Sequence, residues 1–235
     1  MSISNAILRS TVYLKRHGLV ATIRRVQLAG NRALFADRMA VLYCDLSERG
    51  LPQINVPVVL KVKRLRSLTE LSAENLKTMT SFWNPKLANR NIRERFEKGA
   101  SLWLVECQER LAGYGWTLQG RTMAPYYFPL AQDDVHLFDF HVFPLYRGRG
   151  INPYLICRIL DGLATNCRGR AFIEVAEWND PQLSSLRKTP FRCLGSARSF
   201  TIMGYTLVSW IKNDIVAQIN KGTDPADQIF GTATK

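Results

Sequence analysis

No stretch of this chain reaches the roughly 18 to 20 consecutive apolar residues that a membrane-crossing helix needs, and its first residues lack the continuous apolar core of a secretion signal. A cytoplasmic protein, at most peripheral to a membrane, is therefore expected. Cysteine chemistry is poorly provided for. Cys44, Cys107, Cys157, Cys167 and Cys193 are odd in number, form no CxxC pair and have no histidine at metal-ligand spacing. Buried thiols in a reducing compartment are expected rather than disulfides or zinc. Acidic residues are scarce as well, with 19 Asp and Glu against 32 Lys and Arg, for a net charge of +13. Such an excess points to anionic partners: phosphorylated small molecules, nucleic acid or an acidic membrane face.

The deficit is sharpest at the start, where residues 1–36 carry Arg9, Lys15, Arg16, Arg24, Arg25 and Arg32 but no acid. Ile7, Val12, Leu14, Leu19, Ile23, Val26, Leu28 and Leu34 recur at helical spacing around Gly18, which predicts two short helices in a basic amphipathic arm. An anionic lipid surface or an acidic partner is a candidate contact for it; a helical extension packed on the main domain is the plainer alternative. At the other end, the polar stretch 217–235 is expected to be mobile.

Between them, 235 residues with 46% hydrophobic content suffice for one substantial core. Strands are expected over 38–46 and 58–65, then helices over 69–83 and 85–98. A hairpin follows, with strands over 101–107 and 111–118 joined by Gln108-Glu109-Arg110. Further on, 171–177 alternates like a strand, Trp178-Asn179-Asp180-Pro181 turns into a helix over 182–188, and 192–194 with 200–211 makes a last hairpin whose loop includes Gly195 and Ser196. Tyr126, Tyr127 and Phe128 stand in an aromatic, proline-rich loop between Gln119 and Asp133.

The chain is organised around 134–166. Val135, Leu137, Phe138, Phe140, Val142 and Phe143 are strand formers that end at Pro144. Arg147-Gly148-Arg149-Gly150-Ile151-Asn152 comes next, where two glycines let the backbone approach a bulky ligand and the following helix points its free N–H groups back at the turn. Such a joint can seat a pyrophosphate.

The run VFPLYRGRGI resembles the acyl-CoA-binding signature of the GNAT family of N-acetyltransferases, matching it at Arg147 and Gly150 and departing from it at Asn152. What the resemblance implies is an α/β (α+β) GNAT fold, a mixed central sheet flanked by helices, with a basic helical N-terminal extension. The corresponding division is an arm plus extra strand over 1–55, the transferase domain over 56–216 and the tail. It implies acetyl-CoA, or another acyl-CoA, as co-substrate with no metal, and a small or nucleotide-linked amine as acceptor. His141, Val142 and Phe143 would lie along the pantetheine, Arg147, Gly148, Arg149, Gly150, Ile151 and Asn152 would hold the pyrophosphate, and Asn179 would contact the CoA arm. The N–H near Val142 would be the oxyanion donor. Asp139 and His136 are the candidate bases, with His141 turned away by strand alternation. The family's usual tyrosine acid falls on Leu186, which leaves Tyr146 or Tyr154, water, or a CoA-binding domain without transfer activity. A non-catalytic basic binder, either a CoA-binding scaffold or one holding an anionic membrane or nucleic acid, is the competing reading. Nucleic acid is not expected, because basic residues are not interleaved with exposed aromatics.

Overall fold

The computed structural model describes residues 38–47, 54–56, 58–81, 84–165, 169–202 and 205–211. The basic arm, the tail and Cys167 lie outside the described residues.

Among the described residues, eight strands form one sheet: β1 (Met39–Asp45), β2 (Leu60–Leu65), β3 (Ser101–Cys107), β4 (Arg110–Gln119), β5 (Val135–Val142), β6 (Arg170–Ala176), β7 (Arg192–Ile202) and β8 (Tyr205–Ile211). Their spatial order is β2-β3-β4-β5-β6-β1-β7-β8. Every pair is antiparallel except β5 and β6. Strand β1 is not an edge addition; it is hydrogen-bonded to β6 on one side and β7 on the other.

The expected hairpin β3–β4 closes through Gln108 and Glu109, both at positive φ (50° and 63°), which is how a two-residue turn matches the twist of its strands. The last hairpin differs from expectation. Gly195 and Ser196 are not loop residues but lie within β7, where the register against β1 slips by one residue between Val41 and Leu42 and leaves Leu194 as the extra residue. Glycine in a strand marks a bulge as readily as a turn, and here the partner strand decides.

Among the described residues, four α-helices cover the sheet: α1 (Ala73–Thr80), α2 (Pro85–Glu97), α3 (Ile151–Ala164) and α4 (Asp180–Leu186). Ser72, Asn84 and Asn179 cap α1, α2 and α4 through their side chains. Side chains alternate across β3 and β4, so Leu102, Leu104, Tyr114 and Trp116 join Met79, Ile92 and Phe96 beneath α1 and α2. Trp103, Val105, Ala112, Val135 and Leu137 instead meet Leu155, Ile159 and Leu163 of α3. Tyr126, Tyr127 and Phe128 pack with Phe172, Val208 and Trp210, so the aromatic loop roofs the far half of the sheet.

Candidate active site

Strands β5 and β6 pair only at Val135 with Ala171 and His136 with Phe172. Beyond that point they diverge. The cause is in β5: against β4, Trp116 faces Phe138 and Tyr114 faces His141, so β5 carries one residue more than β4 in this interval. Asp139 takes up the excess in the left-handed region, at φ 49°, which aspartate tolerates better than most residues. Opposite it, Gly115 has no Cβ because the Phe140 ring occupies that place, with ring carbons 2.5, 2.7 and 2.9 Å from where the Cβ would be. Gly115→Ala would push that ring into the opening it lines. The expected cost is about 1–3 kcal/mol in urea unfolding, together with loss of ligand affinity in the opening; unchanged values for both would mean that the ring is not held there.

The divergence opens a cleft of about 460 Å³ between the end of β5, the turn before α3, and α4. His141, Val142, Tyr146, Arg147, Gly148, Gly150, Ile151, Asn152 and Asn179 line it. Arg149 is exposed on the same turn, and Phe143 is buried behind it. Because the Phe143 N–H donates to Ala112 O at 3.0 Å on the β4 side, strand alternation turns the Val142 N–H and C=O to the cleft. The Arg147 Nε donates to that carbonyl at 3.0 Å.

Gly150 caps α3 at φ 74° with no side-chain hydrogen bond, and Gly148 at φ 77° has nothing within 4 Å of its missing Cβ. The first amides of α3, those of Ile151 and Asn152, have no intrahelical acceptor, and Pro153 has no N–H to offer. Asn152 does not cap the helix. Its Nδ2 donates to Gln182 Oε1 and Ser185 Oγ, both at 2.9 Å, which ties α3 to α4 and draws the side chain away from the turn. An open glycine cradle beneath a helix N-terminus, next to two arginines and an unpaired strand edge, fits a diphosphate joined to an amide-bearing arm.

A second opening of about 280 Å³ continues from this cleft, sharing Phe140, Asn179 and Gln182 and adding Asp139 and Glu174. Asp139 also lines a third, of about 240 Å³, beneath α2 with Met79, Asn84, Leu87, Asn91, Ile92, Arg95 and Tyr114. Asp139 thus stands between the second and third openings, ion-paired with Arg95. The guanidinium lies over the Trp116 and Phe138 rings, 5.1 and 5.5 Å from their centroids.

His136 is not brought to the cleft. It is buried where β5 and β6 still pair, stacked on Phe138 and bonded through Nε2 to Glu174 at 2.7 Å, so it reaches the opening only through that carboxylate. The His141 ring stacks on Tyr114 and against Phe143 while Val142 packs toward α3, as alternation predicts. Burial, and then the Arg147 charge, hold its pKa below the ordinary value, with Asp139 opposing. Leu186 is fully buried in the core. Tyr146 lines the cleft, whereas Tyr154 does not. Gln182, Ser184 and Ser185 of α4 also line it; the sequence carries no signal for them beyond their short spacing from Asn179. Among the described residues no group of three or more His, Cys, Asp or Glu is placed to hold a metal, and no helix is long and apolar enough to cross a membrane.

Residues 65–188 match the family model described as Acetyltransferase (GNAT) family. No curated protein matches the chain. Among solved structures it is similar to an acetyltransferase from the GNAT family of Novosphingobium aromaticivorans, at 15% identity and TM-score 0.46, covering 68% of this chain and 61% of that one. It is similar to another from Colwellia psychrerythraea, at 12% and 0.47, covering 75% and 56%. A tandem GNAT protein from the clavulanic acid biosynthesis pathway matches at 15% and 0.48, covering 70% and 55%. The chain therefore spans less than two thirds of the length of these three structures.

Proposed function

The chain belongs to the GNAT acetyltransferase family, and from that premise we propose that it is an acyl-CoA-dependent N-acyltransferase, moving an acetyl group to the amine of a small acceptor. The observation that carries this reading is the place of Asp139 between two openings: it lines the one beneath α2 and also the one that continues, through Phe140, Asn179 and Gln182, from the cleft on the α3 turn.

Arg147, Arg149, the Gly148–Gly150 cradle and the first amides of α3 would hold the diphosphate, with charge-assisted hydrogen bonds from the two guanidinium groups. The Val142 edge would pair with the amides of the pantetheine arm, once Arg147 releases the Val142 carbonyl that it now holds. Asn179, fixed as the cap of α4, would border the same arm. The bound thioester supplies an already activated acyl group, so the chain's task is to position it and manage protons. Asp139 faces the amine and receives its proton. His136 would support this side only through Glu174. The Val142 N–H is directed at the cleft and would stabilise negative charge on the acyl oxygen. Tyr146, the phenol that lines the cleft, would serve the departing sulfur in place of the tyrosine that Leu186 replaces.

The reading is tested by titrating acetyl-CoA into the purified protein in thermal melts and by following thiol release across a panel of small amines. Saturable stabilisation together with amine-dependent release is expected. Stabilisation with no release on any amine would leave a CoA-binding scaffold, and no stabilisation would remove the reading altogether.

A further inference from the structure

The opening beneath α2 differs in character from the cleft. Its lining is largely apolar, from Met79, Leu87, Ile92 and Tyr114, and it carries one charged feature, the Arg95–Asp139 pair on the wall toward β5. At about 240 Å³ it has the scale of a small molecule. The Arg95 side chain is 19% exposed and that of Asp139 37%. Two aromatic rings take the flat face of the guanidinium, so its N–H edge is what remains for the pocket. A guanidinium has five N–H donors, and among the described residues one of them is used, by Asp139. The carboxylate likewise keeps lone pairs beyond those this contact uses.

We propose that the acceptor is an α-amino acid with an apolar side chain. Its carboxylate binds Arg95, its ammonium binds Asp139, and its side chain rests on Met79, Leu87, Ile92 and Tyr114. The inference rests on the acyltransferase reading of the neighbouring cleft. Charge balance favours a zwitterion over a plain amine. A cation entering alone would share Asp139 with Arg95 and leave a net positive charge in a half-buried pocket, whereas a zwitterion matches both members of the pair and leaves the pocket neutral. A bidentate carboxylate contact is also what a planar guanidinium does best. The arrangement presents the nitrogen to Asp139, which the pocket shares with the opening that continues from the cleft, and holds the carboxylate on the Arg95 side. In the transfer, one ammonium proton passes to Asp139 and on to solvent, the N–C bond forms as the C–S bond breaks, and a second proton from the nitrogen ends on the sulfur.

The test uses the full chain with acetyl-CoA and compares L-leucine with leucinamide and isoamylamine, which keep the apolar part but lack the carboxylate. Leucine should have a kcat/KM about 30-fold or more above the other two, the contribution of a charge-assisted contact. Arg95→Gln should erase that preference by raising KM for leucine far more than KM for isoamylamine, and Arg95→Lys should restore part of it. Leucine, unlike leucinamide, should raise the melting temperature of the protein without acetyl-CoA, and should lose this effect in Arg95→Gln. Equal use of leucine and leucinamide, or an Arg95→Gln defect that falls alike on every amine, would reduce the pair to a structural clasp on the β5 bulge and overturn the acceptor class while leaving the transfer reaction standing. Stabilisation by acetyl-CoA without release on any amine, and without stabilisation by leucine, would overturn both.

Discussion

Gly150→Asp should abolish acetyl-CoA binding while leaving a folded protein. Gly150 sits at φ 74° as the cap of α3, with Val56 Cγ1 at 3.6 Å the nearest atom to the place a Cβ would take. A side chain therefore fits sterically, and the left-handed backbone costs about 1–2 kcal/mol, less for aspartate, which adopts this region more readily than most residues. What changes is the electrostatics: a carboxylate would sit on the free amides of α3, where it is favoured by the helix dipole and competes directly for the donors that a diphosphate needs. Losing one charge-assisted contact at about 1.5–3 kcal/mol and adding repulsion between anions amounts to roughly a 100-fold or greater loss of affinity. Isothermal titration with acetyl-CoA measures this directly, with the far-ultraviolet circular dichroism of the variant compared with that of the parent. Affinity within a few-fold of the parent would place the diphosphate elsewhere. Arg147→Glu should weaken binding in the same direction, since it reverses charge on the same turn and also frees the Val142 carbonyl.

Asp139→Asn should lower kcat by about 100-fold or more, the contribution usual for a general base, without weakening acetyl-CoA binding. Asparagine keeps the shape and tolerates the φ of 49° that the bulge demands, so the divergence of β5 from β6 should survive. It loses the charge that faces Arg95 and the capacity to take a proton. Single-turnover measurements at saturating acetyl-CoA and amine separate this from an effect on assembly of the complex. A kcat close to that of the parent would remove Asp139 from proton transfer and turn attention to Glu174, the other carboxylate lining the opening. His141 provides a further contrast. Burial and the Arg147 charge hold its pKa below the ordinary histidine value, but its ring stacks on Tyr114 and Phe143 on the sheet face beneath α1 and α2.

The strand β5, the glycine turn and the helix α3 were legible in the sequence because each is encoded locally. Apolar residues at the periods of a strand and a helix, two glycines that open space for a ligand, and the stop at Pro144 all act within a few residues of one another. The elements of the two-residue hairpin and of α4, and the family itself, were legible for the same reason. The tertiary structure alone decided the rest, because it depends on pairing across long separations. Nothing in Met39–Asp45 says that it lies between β6 and β7, since a nearly continuous apolar strand fits beside many neighbours and only register and burial choose. Gly195 looks like a turn residue until β1 is laid against it. The bulge at Asp139 exists because β4 and β5 differ by one residue where Phe140 fills the space above Gly115. The meeting of Arg95 with Asp139, 44 residues apart, and of His136 with Glu174, 38 apart, follows from the packing of a helix on one strand and the parallel pairing of another. Chemistry in this chain is thus written locally on the side proposed to seat a phosphate, where backbone amides suffice, and only in three dimensions on the side proposed to receive an amine, where charged side chains from distant elements must converge.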